Sequence, residues 1–488
     1  MRRSILPALI VIACALLVRV MYALSKSFVL DEFHSYYHAT HSPMGAFLGD
    51  LGRDNHPPLS FLVIGAAAEA LGRAEIALRS PAILFSVLEI ALVFRLARRL
   101  GATSRWAAGA AALLAASAMH FDYGSQARMY ALLALLVTIS VSALVDLVGQ
   151  ETPKRGSAVA LALGAAGALY THYFAVQYLA VIVAAASVGL AITGEGRRIR
   201  RLAAPLVAAA VLFAPWALTG FRTQLGHKLP PGGDDLGLSE LAQSMMHLFA
   251  HNVSLAGPAG RWVFIAGAAI PLGLSALGLL RLLAARETRI AGGIVGAAAF
   301  LVPVVSWAAA NIAPRAGFTW HYVLPSAAAA ATLCAFGLQG RIGAAAIAVS
   351  TALGTALIGL HLANPATEDF RGAVHHALKS ASDAPSGDIV RLVSVEWQPA
   401  LFPQGQPYDY YAPRVGLQEQ LPVPARAPMI PGGFMVKNFG ELSAADRVIV
   451  IRRSLPDGQP LLKKLGAAFP HRTVTPFGYG VDVIEFRR

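Results

Sequence analysis

Two carboxylates stand side by side, Asp31 and Glu32, in FVLDEFHSYYHA at residues 28 to 39, directly after a long apolar run. More polar groups follow at intervals, each again beside an apolar run. They are Asp54-Asn55-His56-Pro57-Pro58; Asp122, Gln126, Arg128 and Tyr130 in MHFDYGSQARMYAL; Thr171-His172-Tyr173 in ALYTHYFAV; His227 and Lys228; and Arg315 with His321 in APRAGFTWHYVLP. These are types that move protons or hold charged groups. A carboxylate can serve as a general acid or base, a role worth roughly 10²–10⁴-fold in rate. A guanidinium matches phosphate oxygens as a two-pronged donor.

The elements that must hold these groups are membrane helices. The chain has 488 residues, 56% hydrophobic and 14% charged, with a mean hydropathy of +0.56. A soluble domain has about 25% charged residues. Apolar stretches of spanning length, about 17–25 residues, are expected near 4–24, 76–97, 106–121, 129–148, 157–171, 174–193, 202–220, 261–281, 290–312, 321–338 and 342–362. The first lies behind Arg2 and Arg3 and exceeds the roughly 7–15 apolar residues of a signal peptide, so it reads as a retained helix.

The net charge of +13 is scattered through short loops, which excludes a nucleic-acid face. Alternate loops carry Arg2/Arg3, Arg98/Arg99/Arg105, Lys154/Arg155, Arg197/Arg198/Arg200/Arg201, Arg281/Arg286/Arg289 and Arg341. That asymmetry marks the cytoplasmic side and puts the polar groups above on the outer face, together with everything after Leu362. Nucleotide-activated substrates are not available there. Cys14 and Cys334 lie inside apolar runs, away from any CxxC spacing, and read as buried small residues.

Two apolar segments are too short to span. Residues 59–72 fall in the length class of re-entrant or interfacial helices. Residues 236–252, with Ser239 as N-cap, read as a surface-lying amphipathic helix able to act as a lid. From 363 to 488 the texture becomes that of a small extracytoplasmic α/β domain, following a transmembrane domain at 1–362. A helix is expected at 369–381 and strands at 389–395, 447–451 and 481–486. Residues 396–440 read as loop, with Tyr408, Tyr410 and Tyr411 and no phosphate-loop glycine pattern.

Several segments in fixed order carry a family likeness: LDEFHSYYHA, then RDNHPPLSFLVIGAAAEALGRAEIALRSPAILFSVLEIALVFRLARRLG, then SQARMYALLALL and YTHYFAV. Together they resemble the bacterial C-type membrane glycosyltransferases related to protein mannosyltransferases and to the aminoarabinose transferases of lipid A. The likeness covers roughly the first 180 residues well and the later spans in outline. It implies a polyprenyl-phosphate sugar as donor, a hydroxyl acceptor, inversion, and a catalytic carboxylate in the first outer loop.

On that reading Asp31 is the base, and Glu32 assists it, orients the acceptor or helps hold a divalent cation. Arg128 is first choice for the donor phosphate and His56 second, with Gln126, Tyr130, His172, Tyr173, Arg315 and His321 as further donor or substrate contacts. Arg79, in ALRSPA, serves the headgroup or packing. His321 stands where many relatives carry arginine. No cofactor is required by the spacing; a divalent metal with Glu32 and His56 as ligands is the only candidate. The implied partners are the lipid-linked donor, an envelope glycolipid, glycan or protein as acceptor, and membrane lipids, at the inner membrane of a bacterium with the N-terminus in the cytoplasm. The competing classes are a transporter or lipid flippase, which would favour midplane sites and internal repeats, and an O-antigen ligase or glycan polymerase. Glu89, a carboxylate inside the second span, has no partner readable from the sequence and would cost at least roughly 2.5 kcal/mol there if ionised alone.

Overall fold

The computed structural model describes the chain apart from residues 1–4, 41–43, 53, 227–235, 251–257, 313–317, 364–367, 397–405, 416–424, 431–432, 435–438, 454–458 and 479. His227, Lys228 and Arg315 lie outside the described residues. Two compact units emerge: Met1–Tyr22, Leu51–Gly72 and Ile76–His361 form the first, and Ala23–Asp50, Arg73–Glu75 and Leu362–Arg488 the second.

The first unit is helical. Eight described helices are long and apolar enough to cross a membrane: Leu6–Ser25, Glu75–Arg99, Tyr130–Gly149, Ala175–Ile192, Gly196–Leu225, Trp262–Ala284, Arg289–Ile312 and Gly340–Ala363. The other three expected spans are shorter helices, Ser104–Ala115, Arg155–Thr171 and Leu324–Cys334. Position decides their composition. Tyr130–Gly149 is 89% buried inside the protein and Leu6–Ser25 only 28%, so the latter turns Leu9, Ile10, Leu16 and Leu17 outward. A helix whose apolar side chains face out of the unit has the surface lipid requires. Cys14 is exposed on that helix, contrary to the buried place expected for it, whereas Cys334 is buried and its thiol meets the Pro271 carbonyl at 3.2 Å.

Small residues set the closest helix contacts. A methyl group added at Gly278 would fall 1.9 Å from the Leu333 carbonyl oxygen, and beside it Ser275 Oγ donates to Ala330 O at 2.8 Å. This is the close backbone approach that glycine permits between membrane helices. The inner helix Tyr130–Gly149 ends among cations. Arg198 donates to Val148 O at 2.9 Å and Arg201 to Gln150 O at 2.6 Å, while Arg99 pairs with Asp146 at 2.5 Å. The loop arginines read as an orientation signal therefore also satisfy last-turn carbonyls and complement the helix dipole. The short helix Leu59–Leu71 is present. Leu238–His247 is also helical, but its N-cap is Gly237, and Ser239 Oγ bonds to Glu240 at 2.7 Å instead.

The second unit contains a six-stranded mixed sheet: β1 (Val390–Glu396), β2 (Ala425–Ile430), β3 (Gly433–Phe434), β4 (Arg447–Arg453), β5 (His471–Pro476) and β6 (Val481–Arg487), in the order β3-β2-β1-β4-β6-β5. β1 pairs parallel to β2 and β4, and the other pairings are antiparallel. The three expected strands are its centre. Val448, Val450, Ile484 and Phe486 bury against the helix Pro460–Ala468 through Leu461, Leu462 and Leu465. The expected helix forms as Phe370–Ser382, started by Asp369, whose Oδ1 accepts the Gly372 N–H at 2.9 Å. Tyr408, Tyr410 and Tyr411, expected in a loop, lie in a helix, Pro407–Val415.

Candidate functional site

The carboxylate pair opens a helix of the second unit, Leu30–Thr40. Adjacent residues on a helix point about 100° apart, and here the two separate completely. Asp31 is exposed, while Glu32 is fully buried. Glu32 Oε2 accepts the Val29 N–H at 3.0 Å, the backward reach of a third-position glutamate to the N–H at helix entry. The next N–H, of Leu30, donates to Glu368 Oε2 at 2.6 Å, and Arg453 holds the other oxygen of Glu368. Burial raises the Glu368 pKa against the pull of Arg453, and Asp31 raises it further. Phe33 anchors the helix, its ring edge-on to Phe28, Phe370, Tyr410 and Tyr411 at 5.5–5.9 Å. Such pairs add about 0.5–1.5 kcal/mol each beyond area burial.

The first unit gathers the basic and aromatic candidates. His56 is oriented by Asp54, whose Oδ1 accepts its ring Nδ1–H at 2.8 Å and its backbone N–H at 3.1 Å. The His56 and His172 rings lie 5.8 Å apart. Tyr130 is 6.2 Å from His172 and 5.0 Å from His321, and the Arg128 guanidinium lies 5.8 Å from the Tyr130 ring. Tyr322, which the motifs did not single out, fills the space between His172 and His321 at 4.8 Å from each.

His172 Nδ1 accepts the Phe174 N–H at 3.1 Å, so the neutral ring carries its proton on Nε2. Burial, then His56, His321 and Arg128, hold its pKa well below the ordinary 6.5. The imidazole therefore remains a neutral donor at neutral pH. Tyr173 turns away from this group. Its hydroxyl donates to Gln224 and accepts from Trp216 Nε1 at 2.9 Å, and burial pushes its pKa up to about 12. Gln224 in turn donates to Leu51 O and His56 O at 2.7 and 3.1 Å, so Tyr173 braces the His56 loop from below.

Gln126 donates to Asp122 Oδ1 at 2.9 Å, and His361 Nε2 lies 3.4 Å from the same oxygen. His361 stacks on Tyr22 at 5.9 Å, and Arg79, fully buried, lies over the Tyr22 ring at 5.2 Å. Arg79 is thus joined to Asp122 and Gln126 through Tyr22 and His361.

Glu89 does have partners. It is fully buried, Thr138 Oγ1 donates to its Oε1 at 2.8 Å, and His120 Nε2 lies 3.1 Å from its Oε2. The far nitrogen of the same imidazole is 2.8 Å from the Arg19 guanidinium. The sequence signal was an arginine and a glutamate inside separate apolar runs; nothing indicated that His120 bridges them.

Residues 55–218 match the model of the dolichyl-phosphate-mannose-protein mannosyltransferase family. Among solved structures, the crystal structure of ArnT from Cupriavidus metallidurans bound to undecaprenyl phosphate covers 98% of this chain and 97% of its own, with a TM-score of 0.59 at 15% identity. The fold is that of the C-type membrane glycosyltransferases. The apo ArnT structure aligns over the same shares, at 17% identity and a TM-score of 0.47. No curated protein matches the chain in sequence. The C-type resemblance read from the sequence motifs is borne out, and with it a multi-span membrane protein carrying a small C-terminal sheet domain.

Proposed function

We propose that this protein is a membrane glycosyltransferase that moves a sugar from a polyprenyl-phosphate donor to a hydroxyl of an envelope lipid, glycan or protein, with inversion, on the outer face of a bacterial inner membrane. The observation that carries this reading is the convergence of Arg128, His56, His172, Tyr130 and His321 in one polar, aromatic-lined group. Its support is a shared fold with ArnT, whose crystal structure contains undecaprenyl phosphate. In this scheme a lipid phosphate sits at the outer ends of the helices, because hydrocarbon cannot solvate it. Arg128 takes the phosphate oxygens, and neutral His172 donates from Nε2.

Asp31, exposed at its helix start, takes the proton as the acceptor hydroxyl attacks the anomeric carbon and the lipid phosphate leaves. A single displacement needs no protein nucleophile, and a phosphate needs no second carboxyl as acid, unlike a glycosidase leaving group. Glu32 stabilises the helix that presents Asp31. Glu32 Oε2 accepts the Val29 N–H and His56 Nδ1 donates to Asp54, and no step is routed through a metal.

The test is purified protein with undecaprenyl-phosphate-sugar donors, the sugar being named first by the glycolipid mass missing from cells that lack the gene. Asp31→Asn is expected to lower turnover by about 10²–10⁴-fold while donor binding stays at the wild-type level. Full turnover in Asp31→Asn would reject the assignment of the base, and an unchanged glycolipid profile would reject the reading as a whole.

A further inference from the structure

The second unit contains a cavity of about 950 Å³ that none of the proposed transfer chemistry uses. Its wall carries Lys26, Arg371, His375 and Arg414 against two carboxylates, Glu75 and Asp369. Both acids are engaged within the wall itself. Glu75 accepts from Arg371 at 2.6 Å and from the Tyr411 hydroxyl at 2.5 Å, and Asp369 caps the helix that follows it. The wall is therefore cationic on balance. Phe477, Pro476 and Ala363 add an apolar strip.

Sequence position fixes the depth of this cavity. Ser25, Glu75 and Ala363 line it, and they are the last residue of Leu6–Ser25, the first of Glu75–Arg99 and the last of Gly340–Ala363. Ends of spanning helices lie at headgroup level. A lone inorganic anion would leave most of such a volume empty, whereas a headgroup with the start of its chains would use both the cations and the apolar strip.

We propose that this cavity binds the phosphate-bearing headgroup of an anionic phospholipid, as a site separate from the Arg128 group and independent of the transferase reading. Lys26 and Arg414 supply the attraction, with the Ser25 hydroxyl at the wall as a donor to the phosphodiester or glycerol oxygens. Phe477 covers the first carbons of the chains.

The experiment is native mass spectrometry of the full chain released from vesicles of phosphatidylglycerol or of phosphatidylcholine with the same acyl chains. Preferential retention of phosphatidylglycerol is expected. Lys26→Gln should weaken it about fivefold, and Lys26→Gln with Arg414→Gln about 25-fold. Lys26→Arg should restore it, and Arg128→Ala should leave it unchanged. His375→Glu gives an independent arm on an exposed side chain, with loss again expected. Equal retention of phosphatidylcholine, wild-type retention in Lys26→Gln and His375→Glu, or loss in Arg128→Ala would each overturn the proposal. Complete displacement by millimolar inorganic phosphate would overturn it too, by showing a free-anion site.

Discussion

Two polar groups sit within the first unit, and they are built on opposite electrostatic plans. Around Glu89 opposite charges are bridged: Arg19, His120, Glu89 and Thr138 form a chain in which each group meets a hydrogen-bonding partner at 2.8–3.1 Å. Around His172 the bases outnumber the acid that orients His56, Asp54, and His56, His321 and Arg128 all oppose its protonation. A set that neutralises itself in a low-dielectric interior needs no further partner and holds helices in register. A set that concentrates positive potential at the end of a helix bundle gains most when an anion arrives. The contrast teaches that buried charge alone does not mark a functional site; the balance of signs does.

Substitutions can break this comparison. The largest effect is expected from Glu89→Ala, which leaves His120 and Arg19 facing a void: about 3–5 kcal/mol of stability should be lost, read as the thermal midpoint in detergent. Glu89→Gln, which keeps a carbonyl acceptor for Thr138, should lose less. A midpoint unchanged in Glu89→Ala would remove the structural role assigned to this chain of contacts.

Arg128→Ala should behave the other way. The thermal midpoint stays near wild type while affinity for a polyprenyl phosphate falls by about 10–150-fold, the value of a hydrogen bond to a charged group. If instead Arg128→Ala unfolds the protein with donor affinity intact, the two groups are alike after all.

The smallest effect is a pH dependence. His172 has a folded pKa below its unfolded 6.5, so the unfolded chain binds more protons between those two values, and stability falls as pH drops through 6.5. Above 6.5 this contribution is fully present. His172→Phe should show a shallower decline in thermal midpoint from neutral pH to about pH 5 than the wild type. Parallel curves would show that His172 is not held neutral.

Much of this was legible in the sequence wherever the signal is local. Apolar length marked the spans, and β1, β4 and β6 were visible because Val and Ile dominate IVRLVSV, RVIVI and VDVIEF. β5 was missed because HRTVTP is an exposed edge whose residues lack the alternation of a half-buried strand. The tyrosines at 408–411 were placed in a loop because the proline-rich surroundings hide a helix stabilised by packing on Phe33. His56, Arg128 and His172 were each recognised beside a helix end, but their ring contacts join residues more than a hundred positions apart.

The sequence by itself determined that this is a multi-span helical protein with its chemistry-bearing residues at span ends, because apolar length and polar interruption are properties of contiguous residues. Only the tertiary structure decided that Glu32 caps a helix while Asp31 stays exposed, that His120 bridges Glu89 and Arg19, and that His172 is neutral. Each of those depends on which groups meet through space, and hydrogen bonding and desolvation act over a few ångströms regardless of separation along the chain.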